Sequence, residues 1–227
     1  MYVYQSDVFG NLLVSLHQKI LNFLSVMAYK PNETIMMHIH KTLQQKKEEC
    51  LSLLRSTGRD KIEDLITHIT RMGYFEAPGS LKHHRFVGGL LSHSLETYYK
   101  AMDLRDEKIR KGVSPDQMPK ESVIIAALLH DLCKADVLRY NPETHKAFVC
   151  KSFNGHSQRS VRQIGYSGFL LTTLEKEAIL WHMGGERICP DKQQRASYFA
   201  SHPLSDIIRR SDGKSIGESK RRHHPKR

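Results

Sequence analysis

The apolar run VIIAALL, residues 123–129, ends on an imidazole and a carboxylate, His130 and Asp131. A helix that is apolar on every side belongs inside a core, where an unpaired charge is strongly unfavourable. Something must compensate the pair. Lys134, one turn further on, offers a salt bridge; a divalent cation bound by both side chains is the stronger solution. Adjacent helical residues project about 100° apart, so one ion can serve both only near the helix end or with donors from other helices.

Such donors are present. His93 lies on the shoulder of the stripe Leu91, Leu95, Tyr98, Tyr99 and Met102, whose spacing is that of a helix face turned to a core. Taken alone it reads as a packed, hydrogen-bonded histidine. In HPLSDIIRRSD the inward positions are Leu204, Ile207, Ile208 and Ser211, and Asp212 continues that face. Asp206 falls on the other side, toward solvent beside Arg209 and Arg210, so the pattern selects Asp212 as the second carboxylate. His182 repeats the inward spacing of Leu174 and Ala178, and His156 starts a helix after Gly155.

The elements that carry these residues read as helices. One is expected over residues 8–29, ended by Lys30-Pro31, and another over 33–56, ended by Thr57-Gly58. DKIEDLITHITRMGYF starts at Asp60 with Glu63 three residues on, a capping box. EAPGS breaks the chain before the His93 helix, and the polar connector KGVSPDQMPK precedes ESVIIAALLHDLC. YNPETHKAFVCKSFNG reads as a loop with one short β-hairpin, and HSQRSVRQI as a helix. Thr172 and Glu175 form a second capping box, and Pro203 suits the first turn of the last helix. The fold class expected is all-α, a helical bundle with at most a short β-hairpin.

A chain of 227 residues holds one substantial core, or a core and a small lobe. With 39% hydrophobic and 26% charged residues it fits a soluble globular protein. It lacks an apolar run of about 18 residues, which excludes a spanning helix and makes a membrane partner unexpected. Asp7 and the absence of an early basic cluster argue against a secretory leader, so a cytoplasmic protein is expected. Four cysteines without a CxxC pair fit neither a disulfide framework nor a thiolate zinc site. The net charge of +11 favours anionic partners. Part of it sits in KSIGESKRRHHPKR, residues 214–227, which reads as a basic, disordered tail.

The pattern His93, His130-Asp131, Asp212 resembles the H…HD…D signature of HD-domain metal-dependent phosphohydrolases. APGSLKHHRFVGGLLSHSLETY, AALLHDLCKAD, GHSQRS, LEKEAILWHMGG and HPLSDIIRRSD, in that order, are similar to stand-alone bacterial and phage HD hydrolases. They are also similar to the HD domain of certain bacterial 3′-to-5′ exoribonucleases. The resemblance covers about residues 60–213, leaving 1–59 as an N-terminal helical extension and 214–227 as the tail.

The resemblance implies that His93, His130, Asp131 and Asp212 ligate a first divalent ion, and that His156 and His182 hold a second, with Asp131 bridging. Some two-metal relatives have a His-His pair where this chain reads Trp181-His182, so phosphate contact by His156 and His182 is the alternative. Mixed imidazole and carboxylate donors suit Mn²⁺, Fe²⁺, Co²⁺, Ni²⁺ or Zn²⁺, with Mg²⁺ also admitted, better than Ca²⁺. The expected chemistry is phosphoester hydrolysis by a metal-activated water at Asp131. Lys134 is expected to reach a phosphate oxygen, and Lys82, His84 and Arg159 to contact substrate. His83 is read as their neighbour, Trp181 as core, and His38, His40, His68, His145 and His202 as outside the constellation. The expected partner is a phosphorylated small molecule, foremost a nucleotide, with short single-stranded nucleic acid as a further one. The alternative is a nucleotide- or nucleic-acid-binding module with little turnover, which the same positive charge serves.

Overall fold

The computed structural model describes residues 41–152 and 155–223. The helix expected over 8–29 lies outside them, as do His38 and His40. Helix α1 spans Leu43–Ser56. The helix expected over 33–56 lies outside the described residues up to 40, and from there on the helix starts after Thr42, which is extended and forms a capping box with Gln45. Helix α2 spans Ile62–Arg71, and the capping box expected at Asp60 is absent. Its N-cap is Lys61, in the left-handed region with no side-chain cap, while Glu63 is drawn instead to Arg55 of α1 at 2.7 Å.

Helix α3, Gly89–Arg110, is long and largely buried over its first half. After a 3₁₀ turn at Pro115–Gln117 comes α4, Lys120–Leu129, in which every residue from Ser122 to Leu129 is buried. Side chains such as Val123, Ile125, Leu128 and Leu129, all fully buried, each contribute about 1.5–3 kcal/mol. A short α5, Lys134–Val137, leads into strands β1, Leu138–Asn141, and β2, Lys146–Val149. They form an antiparallel hairpin with Leu138 opposite Val149. Helices α6, His156–Gly165, α7, Thr173–Trp181, α8, Lys192–Ser201, and α9, Pro203–His223, complete the described chain. The fold is all-α apart from the hairpin.

Helix α4 is the axis of the bundle: α3 packs on it and on α9, and α7 packs on both α4 and α9. The Thr172–Glu175 capping box forms as expected. Glu175, fully buried, also accepts from Arg59 at 2.6 Å and from Ser122 at 2.9 Å. One carboxylate thereby joins α7, α4 and the loop after α1.

Helix α1 packs on α3 and α4. Two expectations about the tail and the helix faces change. The segment expected as a disordered tail from 214 continues α9 to His223, with Ser215 fully buried. Asp206, expected to face solvent, is buried: Lys108 of α3 meets it at 3.0 Å, with Arg209 at 2.9 Å and Arg210 at 3.5 Å. Among the described residues no helix is long and apolar enough to cross a membrane.

Candidate metal centre

The site lies where α3 and α9 meet the end of α4, the start of α6 and the end of α7. His130 is the C-cap of α4, and Asp131 follows it as the chain leaves the helix. This end position resolves the divergence of adjacent helical side chains: His130 Nε2 and Asp131 Oδ2 lie 3.4 Å apart. His93 Nε2 is 3.2 Å from His130 Nε2, 3.4 Å from Asp131 Oδ2 and 3.1 Å from Asp212 Oδ1. His130 Nε2 is 3.9 Å from Asp212 Oδ1.

These edges fit an ion-pair network and a ligand cage alike. Donors about 2.1 Å from one ion stand about 3.0 Å apart in an octahedron and about 3.4 Å apart in a tetrahedron. Four edges, at 3.1 to 3.4 Å, fall in that range, and the 3.9 Å edge from His130 to Asp212 is wider. Two ring nitrogens facing each other make a poor hydrogen bond between neutral imidazoles unless their tautomers alternate, whereas two lone pairs aimed at one cation satisfy both. The remaining ring nitrogens support that orientation. His130 Nδ1–H donates to Ala127 O at 2.9 Å, and His182 Nδ1–H donates to Ile179 O at 2.6 Å. A carbonyl only accepts, which leaves Nε2 of each neutral ring as the lone-pair nitrogen.

Asp131 divides its two oxygens. Oδ2 faces His93, His130 and the Lys134 ammonium. Oδ1 faces His156 Nε2 at 2.5 Å and His182 Nε2 at 3.5 Å. Two groups of donors are close enough to hold an ion, His93 with His130 and Asp212, and His130 with Asp131 and His182. His156 Nδ1 lies 2.9 Å from Cys133 Sγ, a buried free thiol.

The electrostatics follow from burial and opposite charge. Burial works against a protonated His93, yet its hydrogen bonds to Asp131 and Asp212 prevail and raise it to about 9. His156 is likewise raised to about 9 against burial, by Asp131 and Cys133. His182 rises for the same reason, whereas burial dominates at His130 and lowers it. Burial opposes ionisation of both carboxyls, but Lys134 and the histidines hold Asp131 well below the ordinary range, and His93 does so for Asp212. Lys134, itself buried, is raised by Asp131.

The residues expected to contact substrate are placed unevenly. Lys82 is exposed on the loop before α3. His84 is not at the opening: it is almost fully buried, with Nε2 3.4 Å from Glu96 Oε1. Its ring centroid lies 5.4 Å from that of His93. Arg159 pairs with Asp136 and donates to Ser152 O at 2.9 Å, an arrangement that anchors α6 to α5. His83, read as a neighbour, is half-buried beside the cluster, its ring centroid 6.2 Å from that of His93. Burial, together with the positive charge of Lys134, lowers it to about 4.

Two supporting residues escaped the pattern. His93 Nδ1 meets Ser215 Oγ at 3.2 Å, and Ser215 Oγ donates to Glu96 Oε2 at 3.0 Å. Ser215 continues the face of Ile208 and Ser211, so its inward position was available from periodicity had the basic composition not argued for a tail. Glu96 sits one turn after His93 on the buried face of α3. Trp181 stacks on Tyr198 at 3.9 Å. His202 stacks on the other side of the same Tyr198 ring system, and His145 is exposed on the hairpin.

The buried end of this helical bundle gathers imidazoles and carboxylates close enough to hold a metal ion by mixed nitrogen and oxygen donors. Residues 90–215 match the family model described as HD domain, and these are more than half of the chain. The chain belongs to the HD-domain family, a superfamily of metal-dependent phosphohydrolases. No curated protein and no solved structure matches it, so the finer likeness to exoribonuclease domains has no matched relative behind it.

Proposed function

We propose that this protein is a divalent-metal-dependent phosphohydrolase acting on a nucleotide or another phosphoester. The observation that carries this reading is the meeting of His93 Nε2, His130 Nε2, Asp131 Oδ2 and Asp212 Oδ1, with closest edges of 3.1 to 3.4 Å, inside an apolar bundle. These four residues would hold one ion. His156 and His182, against the other oxygen of Asp131, would hold a second. Bound there, Mn²⁺, Fe²⁺, Co²⁺, Ni²⁺, Zn²⁺ or Mg²⁺ supplies Lewis acidity toward phosphoryl oxygens and lowers the pKa of a water.

The protein's own groups do the rest. Backbone carbonyls clamp His130 and His182 by Nδ1, so neither ring can swing away from the cluster. Asp131 presents one oxygen to each half of the site. The Lys134 ammonium pairs with Asp131, and from that place it would meet an oxygen of a bound phosphate. Lys82, exposed on the neighbouring loop, and the net charge of +11 draw anionic substrates toward the opening.

The test is a screen of nucleotides and oligoribonucleotides in added Mn²⁺, with Asp131→Ala as control and metal content measured on both proteins. Phosphate release and bound metal in the parent, both lost in the variant, are expected. Equal release by both proteins would sink the assignment. Metal and ligand binding without turnover would favour a binding module.

A further inference from the structure

The loop between α2 and α3 is built tightly around His83 and His84. Gly79 N–H donates to His84 O at 2.8 Å, and His83 N–H donates to Ser80 Oγ at 2.8 Å. His84 adopts φ 51, in the left-handed region that non-glycine residues take uncommonly. The crowding explains the two flanking glycines. A Cβ on Gly89 would stand 1.9 Å from His84 O, and one on Gly79 would stand 2.8 Å from His84 Cβ. This tight turn sets two imidazoles in line, with His83 Nδ1 3.4 Å from His84 Nδ1 and His84 Nε2 3.4 Å from Glu96 Oε1.

Proton bookkeeping gives this line a direction. A carboxylate only accepts, so His84 donates to Glu96 from Nε2 and offers Nδ1 as an acceptor. His83 must then donate from Nδ1. Its Nε2, without a protein partner among the described residues, becomes a lone-pair nitrogen on a half-exposed ring beside the cluster. The other oxygen of Glu96 accepts from Ser215, which in turn accepts from His93 Nδ1–H and leaves His93 Nε2 for the ion.

We propose that Glu96 is a single buried anchor that sets the proton order of two histidine arms, and that His83, held through His84, is the imidazole that meets the substrate, its Nε2 accepting a hydrogen bond from the attacking water. The catalytic half rests on the phosphohydrolase reading. In that half, the water oxygen forms the new P–O bond while its proton passes to His83 Nε2; the P–O bond to the leaving group breaks, and the leaving oxygen takes up a proton. The net change is ester plus water to alcohol plus phosphate. His83 would be a catalytic residue, and His84 and Glu96 positioning residues.

Two measurements separate the halves. In ¹⁵N-labelled full-length protein at neutral pH, long-range ¹⁵N–¹H spectra should show His83 protonated on Nδ1 and bare on Nε2, and Glu96→Gln should disturb that tautomer. A wild-type His83 protonated on Nε2, the form free imidazole side chains prefer, overturns the relay whatever the protein hydrolyses. With bis(p-nitrophenyl) phosphate and Mn²⁺ as probe, His83→Ala should keep its bound metal and melting temperature while kcat falls about 100-fold or more. Glu96→Gln should weaken Mn²⁺ binding about 10- to 100-fold as well. Undiminished kcat in His83→Ala overturns the catalytic half and leaves the tautomer result standing. If the parent cleaves no phosphoester, the phosphohydrolase reading has failed, and the spectra still decide the relay.

Discussion

Asp131 is the residue on which the two halves of the cluster meet, because each of its oxygens faces a different set of imidazoles. Replacing a group that merely supports a ligand costs about 10- to 100-fold in metal affinity, so loss of a ligand itself should cost at least that. Asp131→Asn is expected to lower Mn²⁺ affinity at both halves by about 100-fold or more, whereas Asp212→Asn lowers it only at the His93 half. Titration calorimetry with Mn²⁺ distinguishes the two by stoichiometry. Equal profiles for both variants would mean that Asp131 does not bridge. Lys134 carries a separate expectation: Lys134→Met keeps its metal and loses about 10²–10³-fold in kcat, measured under metal-saturated conditions.

At the scale of elements, two buried carboxylates tie helices together and neither touches the cluster. Glu175 joins α7 to Arg59 and to Ser122 of α4. Removing one partner of such a pair strands the other, so Glu175→Ala should lose about 2–4 kcal/mol, read from urea unfolding. Asp206 joins α9 to Lys108 of α3. Burial pushes its carboxyl up, but hydrogen bonds from Lys108 and Arg209 outweigh this and hold it below the ordinary value. A depressed carboxylate adds stability that is present above the unfolded range, about 3.9, and is lost as pH falls through the lower folded value. Asp206→Asn should therefore melt below the parent at pH 7, and the gap should close in acid. A gap that stays constant from neutral to acid pH would remove the ion pair as its cause.

For the whole molecule, a cage of ionised groups inside an apolar bundle couples metal binding to folding. The unfolded chain has no such cage, so binding adds RT ln(1 + [L]/Kd), about 2.7 kcal/mol at a hundredfold excess over Kd. The melting temperature should rise with added Mn²⁺ and fall back with a chelator. Asp131→Asn should show neither change. A parent protein whose melting temperature ignores both additions would argue that the cluster is held by ion pairs alone.

Local spacing determined much of this protein. The all-round apolar pattern before His130 placed that helix at the centre, the 3.6-residue period separated Asp212 from Asp206, and Thr172 with Glu175 marked the start of α7. Each depends on groups within a turn or two of one another, where helix geometry alone sets which face a side chain takes. The tertiary structure decided what no period encodes. It placed Ser215 against Glu96, 119 residues away, and so made part of an apparent tail into support for His93. It buried Asp206 by bringing Lys108 over it, and it turned His84 inward and left His83 half-buried through a tight turn that two glycines without a Cβ permit. Those outcomes depend on how helices cross and how a loop is crowded, and chain distance carries no record of either.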